Sequence, residues 1–182
     1  MKKICLLLCA AALFTACNNE KAGSETSSTE MPKEEGISIT GLSMPASYSS
    51  SFALGNPEYA KMIVQGSWKD WDDNNLDNMK NWVADTIVAF HSNDHMVKGL
   101  DSMMAGWKRY RALYSTVYDT INAVIPVYST DKKENWVLVW AVSYGTMNDG
   151  TKDTAAIMET WRINKDGKAD MLLQYDRAKR KK

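Results

Sequence analysis

Asn135-Trp-Val-Leu-Val-Trp-Ala-Val-Ser-Tyr144, Thr154-Ala-Ala-Ile-Met-Glu-Thr-Trp-Arg-Ile163 and Asp170-Met-Leu-Leu-Gln-Tyr175 are three runs rich in β-branched and aromatic residues. Met147-Asn-Asp-Gly150 and Asn164-Lys-Asp-Gly167 separate them. Asp-Gly between runs of this kind is a strong hairpin signal, so Glu134 to Arg177 reads as three long antiparallel strands. Side chains alternate along a strand, which puts Ala155, Ile157, Glu159, Trp161 and Ile163 on one face. A carboxylate in that company is costly unless it is paired, hydrogen-bonded or neutral, so the pKa of Glu159 is expected to rise. The alternatives are a Glu159 that reaches the mouth of a pocket, or one that pairs with a buried arginine such as Arg111.

Upstream of this sheet the pattern is helical. Asn56 and Pro57 supply an N-cap and a first helical residue whose missing N–H costs nothing. Ala60, Val64, Trp68 and Trp71 follow at helical spacing. Leu76, Met79, Trp82 and Val83 predict a short second helix. Thr86-Ile-Val-Ala-Phe90 predicts a strand, His91-Ser-Asn-Asp94 a polar corner, and His95-Met-Val-Lys98 a return strand. Leu100, Met103, Met104, Trp107, Tyr110 and Tyr114 mark one face of a third helix after Gly99. Thr116 to Tyr128 predicts a long strand interrupted near Pro126, where the ladder loses a donor. Helices gathered before an antiparallel sheet make an α+β architecture, with no internal repeats.

This order of elements resembles the SnoaL-like branch of the nuclear transport factor two superfamily. The residues that carry the resemblance are Val83-Ala-Asp-Thr-Ile-Val-Ala-Phe-His91, the hairpin Met158-Glu-Thr-Trp-Arg-Ile-Asn-Lys-Asp-Gly-Lys168 and the closing Gln174-Tyr175-Asp176. It covers roughly Asn56 to Asp176 and implies a cone: a curved, mainly antiparallel sheet with helices in its concave side and a pocket at the open end. In ketosteroid isomerase, a member of that superfamily, a protonated aspartate at the place matching Glu159 donates a hydrogen bond to the oxyanion. The isomerase's base matches Phe90 or His91 here rather than an aspartate, and its helix-one tyrosine falls on Gly66-Ser67-Trp68. Two of the three isomerase groups are therefore missing.

Two further groups of residues bear on chemistry. A histidine at a strand end beside an acid suits a general base, because histidine ordinarily titrates near neutrality. His91 with Asp94 fits that description, and with His95 the same cluster has metal-ligand types; a solvated turn is the plain alternative. The candidate catalytic residues are thus Glu159, His91 and Asp94. The aromatic residues Trp68, Trp71, Phe90, Trp107, Tyr144, Trp161 and Tyr175 are candidates for the walls of a pocket holding a flat apolar ligand. No serine triad, phosphate-binding glycine loop or zinc motif is present, so neither cofactor nor metal is expected. With 22 basic and 22 acidic residues the chain has no net charge and no nucleic-acid footprint.

The front of the chain sets the expected address. Met1-Lys-Lys3 is basic, Ile4 to Phe14 is apolar but too short to span a bilayer, and Thr15-Ala16-Cys17 closes the run with small residues. This resembles a bacterial lipoprotein signal peptide over residues 1–16, with Cys17 lipidated and the protein held at the cell envelope, outside the cytoplasm. Residues 17–51, rich in Ser, Thr, Glu, Lys and Gly, read as a flexible tether in which Ile37-Ser-Ile39 and Leu42 offer a short edge strand. The folded domain is expected over 52–178 and a basic tail over 179–182, either solvated or a site for anionic lipid or polysaccharide. Both faces of the strand at Asn135 to Tyr144 are apolar, so a homodimer through the outer sheet face is expected. Two functions remain: a non-catalytic pocket for a small apolar molecule or an envelope partner protein, or a small isomerase, dehydratase or cyclase using Glu159 and His91. An enzyme requires both residues in one cavity.

Overall fold

The computed structural model describes residues 36–177. The leader, Cys17, the tether as far as residue 35 and the basic tail lie outside the described residues.

The first helix, α1, spans Pro57–Ile63, and Asn56 Oδ1 caps it by accepting the Glu58 N–H at 2.9 Å. The helix does not stop there. A π-helical turn over Val64–Lys69 carries it into the short α2 at Asp70–Asp72. Gly66 lies inside the wide turn because the Trp82 ring packs on it: a Cβ there would stand 2.5 Å from that ring. A 3₁₀ turn at Leu76–Asn78 and α3 at Met79–Trp82 follow, and α4 covers Leu100–Arg111.

Among the described residues eight strands form one sheet. They are β1 (Ile37–Ser38), β2 (Ser51–Leu54), β3 (Val83–Phe90), β4 (Met96–Lys98), β5 (Tyr114–Ser129), β6 (Glu134–Met147), β7 (Lys152–Ile163) and β8 (Ala169–Arg177). Their order is β1-β2-β5-β6-β7-β8-β3-β4, antiparallel throughout except for the parallel pair of β3 and β8. The two expected hairpin turns close at Gly150 and Gly167, with φ of 86° and 77°. The architecture is the expected α+β arrangement.

The short edge strand offered by Ile37-Ser-Ile39, inside the stretch read as tether, forms at Ile37–Ser38 and pairs with Phe52 and Ser51 of β2. Other boundaries differ from expectation. Val83, placed on the second helix, opens β3. Tyr114, placed by periodicity on the third helix, opens β5 instead. The irregularities of β5 fall between Tyr114 and Thr116 and between Ile121 and Ala123 rather than at Pro126, which pairs in register with Val137.

Register orders the inner face into rows that run from base to mouth. Pro126, Val137 and Trp161 form the base row, with Leu172 beside Trp161. Val124, Val139 and Glu159 come next, with Gln174 opposite Glu159. Ile121, Ala141 and Ile157 follow, then Asp119, Ser143 and Ala155, and finally Val117, Gly145 and Asp153. The base rows are core: Val137, Val139, Trp161 and Leu172 are fully buried against Ile63, Met79, Ile87 and Met103. The mouth rows carry small and acidic side chains, and the helices do not fill the space above them.

Candidate functional site

That space is a cavity of about 910 Å³. Its helical wall comprises Ser67, Trp68 and Trp71 from the first helical run and Met103, Trp107 and Tyr110 from α4. Its sheet wall comprises Tyr114, Asp119, Ser143, Gly145, Asp153, Ile157, Glu159 and Gln174, with His91 at the end of β3. A single concave space lined by aromatic rings with a few convergent polar groups has the form of a small-molecule site.

Glu159 is buried, 3% exposed, and lies in the cavity's deepest row. Three donors converge on its carboxyl: Ser67 Oγ at 3.1 Å and Trp161 Nε1 at 2.9 Å on Oε2, and Gln174 Nε2 at 3.1 Å on Oε1. Burial pushes its pKa up to about 7, and the three hydrogen bonds hold it down against a larger rise. This is the expected direction. The expected alternative partner does not pair with it: Arg111 donates instead to the backbone carbonyls of Trp71 at 2.8 Å, Tyr114 at 3.1 Å and Asp72 at 3.1 Å. It ties the C-terminal end of the first helical run to the start of β5, where a cation also suits the helix dipole.

His91 enters the same network. Its Nδ1 lies 2.9 Å from Gln174 Oε1, an acceptor, so Nδ1 carries the proton. The donors therefore run in one direction, from His91 to Gln174 to Glu159. Gln174 was not a sequence candidate. It pairs in register with Glu159 across the last hairpin.

Asp94 does not join this group. It sits in the His91–Asp94 turn with φ of 62°, exposed, and lines a second cavity of about 330 Å³ on the other side of His91 and Gln174. The His91 and His95 rings stack with centroids 6.5 Å apart. Among the described residues no three His, Cys, Asp or Glu side chains converge as metal ligands.

Of the expected aromatic walls, Trp68, Trp71 and Trp107 line the main cavity. Trp161 does not; it is fully buried beneath Glu159, which accepts its indole N–H. Tyr144 points to the outer sheet face, where its ring stacks on Tyr118 at 4.8 Å, because alternation puts even-numbered β6 residues opposite Val139. Phe90 and Tyr175 also lie outside, on the smaller cavity.

The sequence reading missed a second acid. Asp119 lines the cavity two rows from Glu159, and neither of its buried carboxyl oxygens makes a well-formed hydrogen bond. Its backbone N–H donates to Asp72 Oδ2 at 3.2 Å. Burial raises the pKa of both carboxyls, and the proximity of Asp72 adds to the rise at Asp119. The same signal that picked out Glu159 marks Asp119, since Val117, Asp119 and Ile121 alternate onto one face. Nearer the mouth, Tyr114 donates to Asp153 Oδ2 at 2.9 Å, and its hydroxyl meets that of Tyr110 at 3.0 Å. A Cβ on Gly145 would stand 2.6 Å from the Tyr114 ring, so the bare backbone there makes room for that ring.

No protein-family profile and no curated protein matches the sequence. Solved structures do match the fold. An NTF2-like protein of unknown function from Exiguobacterium sp. 255-15 superposes with a TM-score of 0.52 at 16% identity, over 68% of this chain and 98% of that one. A putative SnoaL-like polyketide cyclase from Jannaschia sp. CCS1 does so with a TM-score of 0.52 at 12% identity, over 66% and 83%. RV0760c from Mycobacterium tuberculosis, in complex with estradiol-17beta-hemisuccinate, gives 0.53 at 16% identity, over 64% and 92%.

Proposed function

We propose that this chain, whose fold is that of the NTF2-like and SnoaL-like proteins, is an envelope-anchored lipoprotein whose domain binds a small, largely apolar molecule. The molecule carries a hydrogen-bond acceptor such as a carbonyl. The observation that carries this reading is Glu159, a carboxyl at the bottom of an aromatic-walled cavity with a pKa of about 7. At neutral pH much of the population holds a proton that it can donate to an acceptor entering the cavity. Trp68 lines the same cavity, with its indole Nε1 buried. The M. tuberculosis protein of like fold holds a steroid ester, a ligand of the flat apolar kind. Anchoring rests on the leader and Cys17 alone, and two or more acyl chains make a stable anchor.

A bicyclic ketone such as 2-tetralone tests the cavity. Saturable quenching of tryptophan fluorescence is expected, weakened by Trp107→Ala. Failure of the ketone to quench saturably while the protein remains folded overturns the reading.

One observation favours a second reading, general acid–base catalysis of the isomerase, dehydratase or cyclase kind. His91 and Glu159 line the same cavity and are joined through Gln174. His91 Nε2 would take a proton α to the carbonyl while Glu159 donates its own to the developing oxyanion; His91 then returns a proton to carbon as Glu159 takes its proton back from the enol oxygen. Deuterium exchange into the ketone's α-carbon in D2O, lost in His91→Ala, separates this reading from simple binding.

A further inference from the structure

We infer that the mouth end of this cavity is a subsite for an organic cation, an alkyl- or arylammonium group, formed by the rings of Trp71, Trp107, Tyr110 and Tyr114 with Asp119 as counter-charge. The inference rests on the reading of the cavity as a ligand site and adds the chemical class of the ligand's second end.

The rings form a continuous series. Trp107 meets Trp71 at 6.0 Å, Trp71 stacks on Tyr110 at 6.0 Å, and Tyr110 meets Tyr114 at 5.5 Å. Several aromatic faces gathered around one space attract a cation through their quadrupoles, most strongly where water is excluded. Gly145 belongs to the mouth as well, because any side chain there would displace the Tyr114 ring.

Among the described residues no cation pairs with the acid in this wall. Asp119 has both carboxyl oxygens buried, with Asp72 and Ser143 facing it. A buried carboxyl facing a second one either holds a proton or takes up a counter-charge, so a cation bound beside this pair would take the place of that proton. Among the described residues, the buried cation nearby is Arg111, which directs its donors to three backbone carbonyls. Lys98 and Arg109, the lysine and arginine that line the cavity, are both exposed at its rim. A bound ammonium group supplies the missing charge. Tyr114 donating to Asp153 Oδ2 keeps a second acidic group at the same mouth.

The register gives the scale. Glu159 lies four residues along β7 from Ala155, whose row contains Asp119. At about 3.3 Å per residue that offset is roughly 13 Å along the strand direction, with two strand spacings of about 4.8 Å between the acids laterally, and the Glu159 charge still adds to the rise at Asp119. A ligand that uses both ends is therefore an elongated amine with an acceptor at its far end.

The test compares two probes of one shape, benzyltrimethylammonium and its neutral carbon isostere neopentylbenzene. Both are titrated into the full chain at pH 8 and followed by tryptophan fluorescence. The cation is expected to bind at least tenfold more tightly than the isostere. That ratio should fall severalfold in Asp119→Asn and also in Tyr110→Leu, a substitution at an exposed position that leaves the core untouched. Equal affinities for the two probes overturn the cation subsite while the ligand cavity stands. Binding of neither probe overturns both. A ratio unchanged in both variants places the cation elsewhere and also refutes the inference.

Discussion

Replacing Glu159 with glutamine should change how stability depends on pH more than it changes stability itself. In the folded protein the Glu159 carboxyl titrates at about 7, against an ordinary 4.5. Between those values the folded chain keeps a proton that the unfolded chain has released, so stability falls as pH rises across the window. Each pH unit of that difference is worth about 1.4 kcal/mol, which makes the total loss about 3 kcal/mol between pH 4.5 and pH 7.5. Asp119 and Asp72, whose carboxyls are also raised, add losses of the same sign. Glu159→Gln removes only the first contribution. Denaturant unfolding of wild type and variant at half-unit steps from pH 5 to pH 8 isolates it as a difference between two curves. Near pH 5 the glutamine variant should be equal to wild type or weaker by about 1 kcal/mol, because an amide offers one acceptor where three donors converge. By pH 8 the balance should have moved in its favour by about 3 kcal/mol, or roughly 10 °C in Tm for a domain of this size. Parallel curves would refute the argument, since they would mean that Glu159 titrates alike in the folded and unfolded chains.

Other outcomes follow from single contacts. Gly145→Ala should cost about 1–2 kcal/mol and weaken ligand binding, because the new Cβ would lie 2.6 Å from the Tyr114 ring that donates to Asp153; unchanged stability and binding would show that the ring has room to move. In Glu159→Gln the new NH2 faces Gln174, whose amide must flip, so His91 should carry its proton on Nε2 rather than Nδ1; nitrogen-15 shifts read this directly, and a proton retained on Nδ1 refutes the linkage. We propose a homodimer through the outer sheet face, where Leu138, Trp140, Val142 and Tyr144 are only partly covered; light scattering at micromolar concentration should report two chains, and Trp140→Glu one. Labelled fatty acid should enter the wild-type protein and not Cys17→Ala; label retained in the variant refutes lipidation at Cys17.

Much of the scaffold was legible because it depends on local chemistry. The Asp-Gly turns, the Asn56-Pro57 helix start and the strict alternation of β6 and β7 are written in neighbouring residues. Alternation alone put Glu159 on the inner face. Applied through the Met147–Gly150 turn, it also puts Tyr144 on the outer one, so assigning that tyrosine to the pocket contradicted a rule already in hand. Asp119 was legible in the same way. The π turn at Val64–Lys69 was not, because the periodicity of Ala60, Val64 and Trp68 is that of an ordinary helix.

The link between His91 and Glu159 was hidden for a sharper reason. At the base of the last hairpin Ile163 pairs with Ala169, and carrying that register upward would set Glu159 against Leu173. Gln174 would then face outward, with no path between the carboxyl and the histidine. A one-residue shift between Arg162 and Ile163 moves the register so that Trp161 meets Leu172 and Glu159 meets Gln174. A bulge of this kind exchanges the two faces of every residue beyond it. It brings Gln174 inside and sends Leu173 and Tyr175 out, which also explains why Tyr175 left the pocket. Nothing in Arg162-Ile-Asn-Lys-Asp-Gly-Lys-Ala-Asp170 fixes where the extra residue lies, because the turn alone is compatible with either register. The polar chain that makes this cavity chemically interesting therefore depends on one irregularity of the backbone. A change that removed the bulge would disconnect His91 from Glu159 without touching either residue.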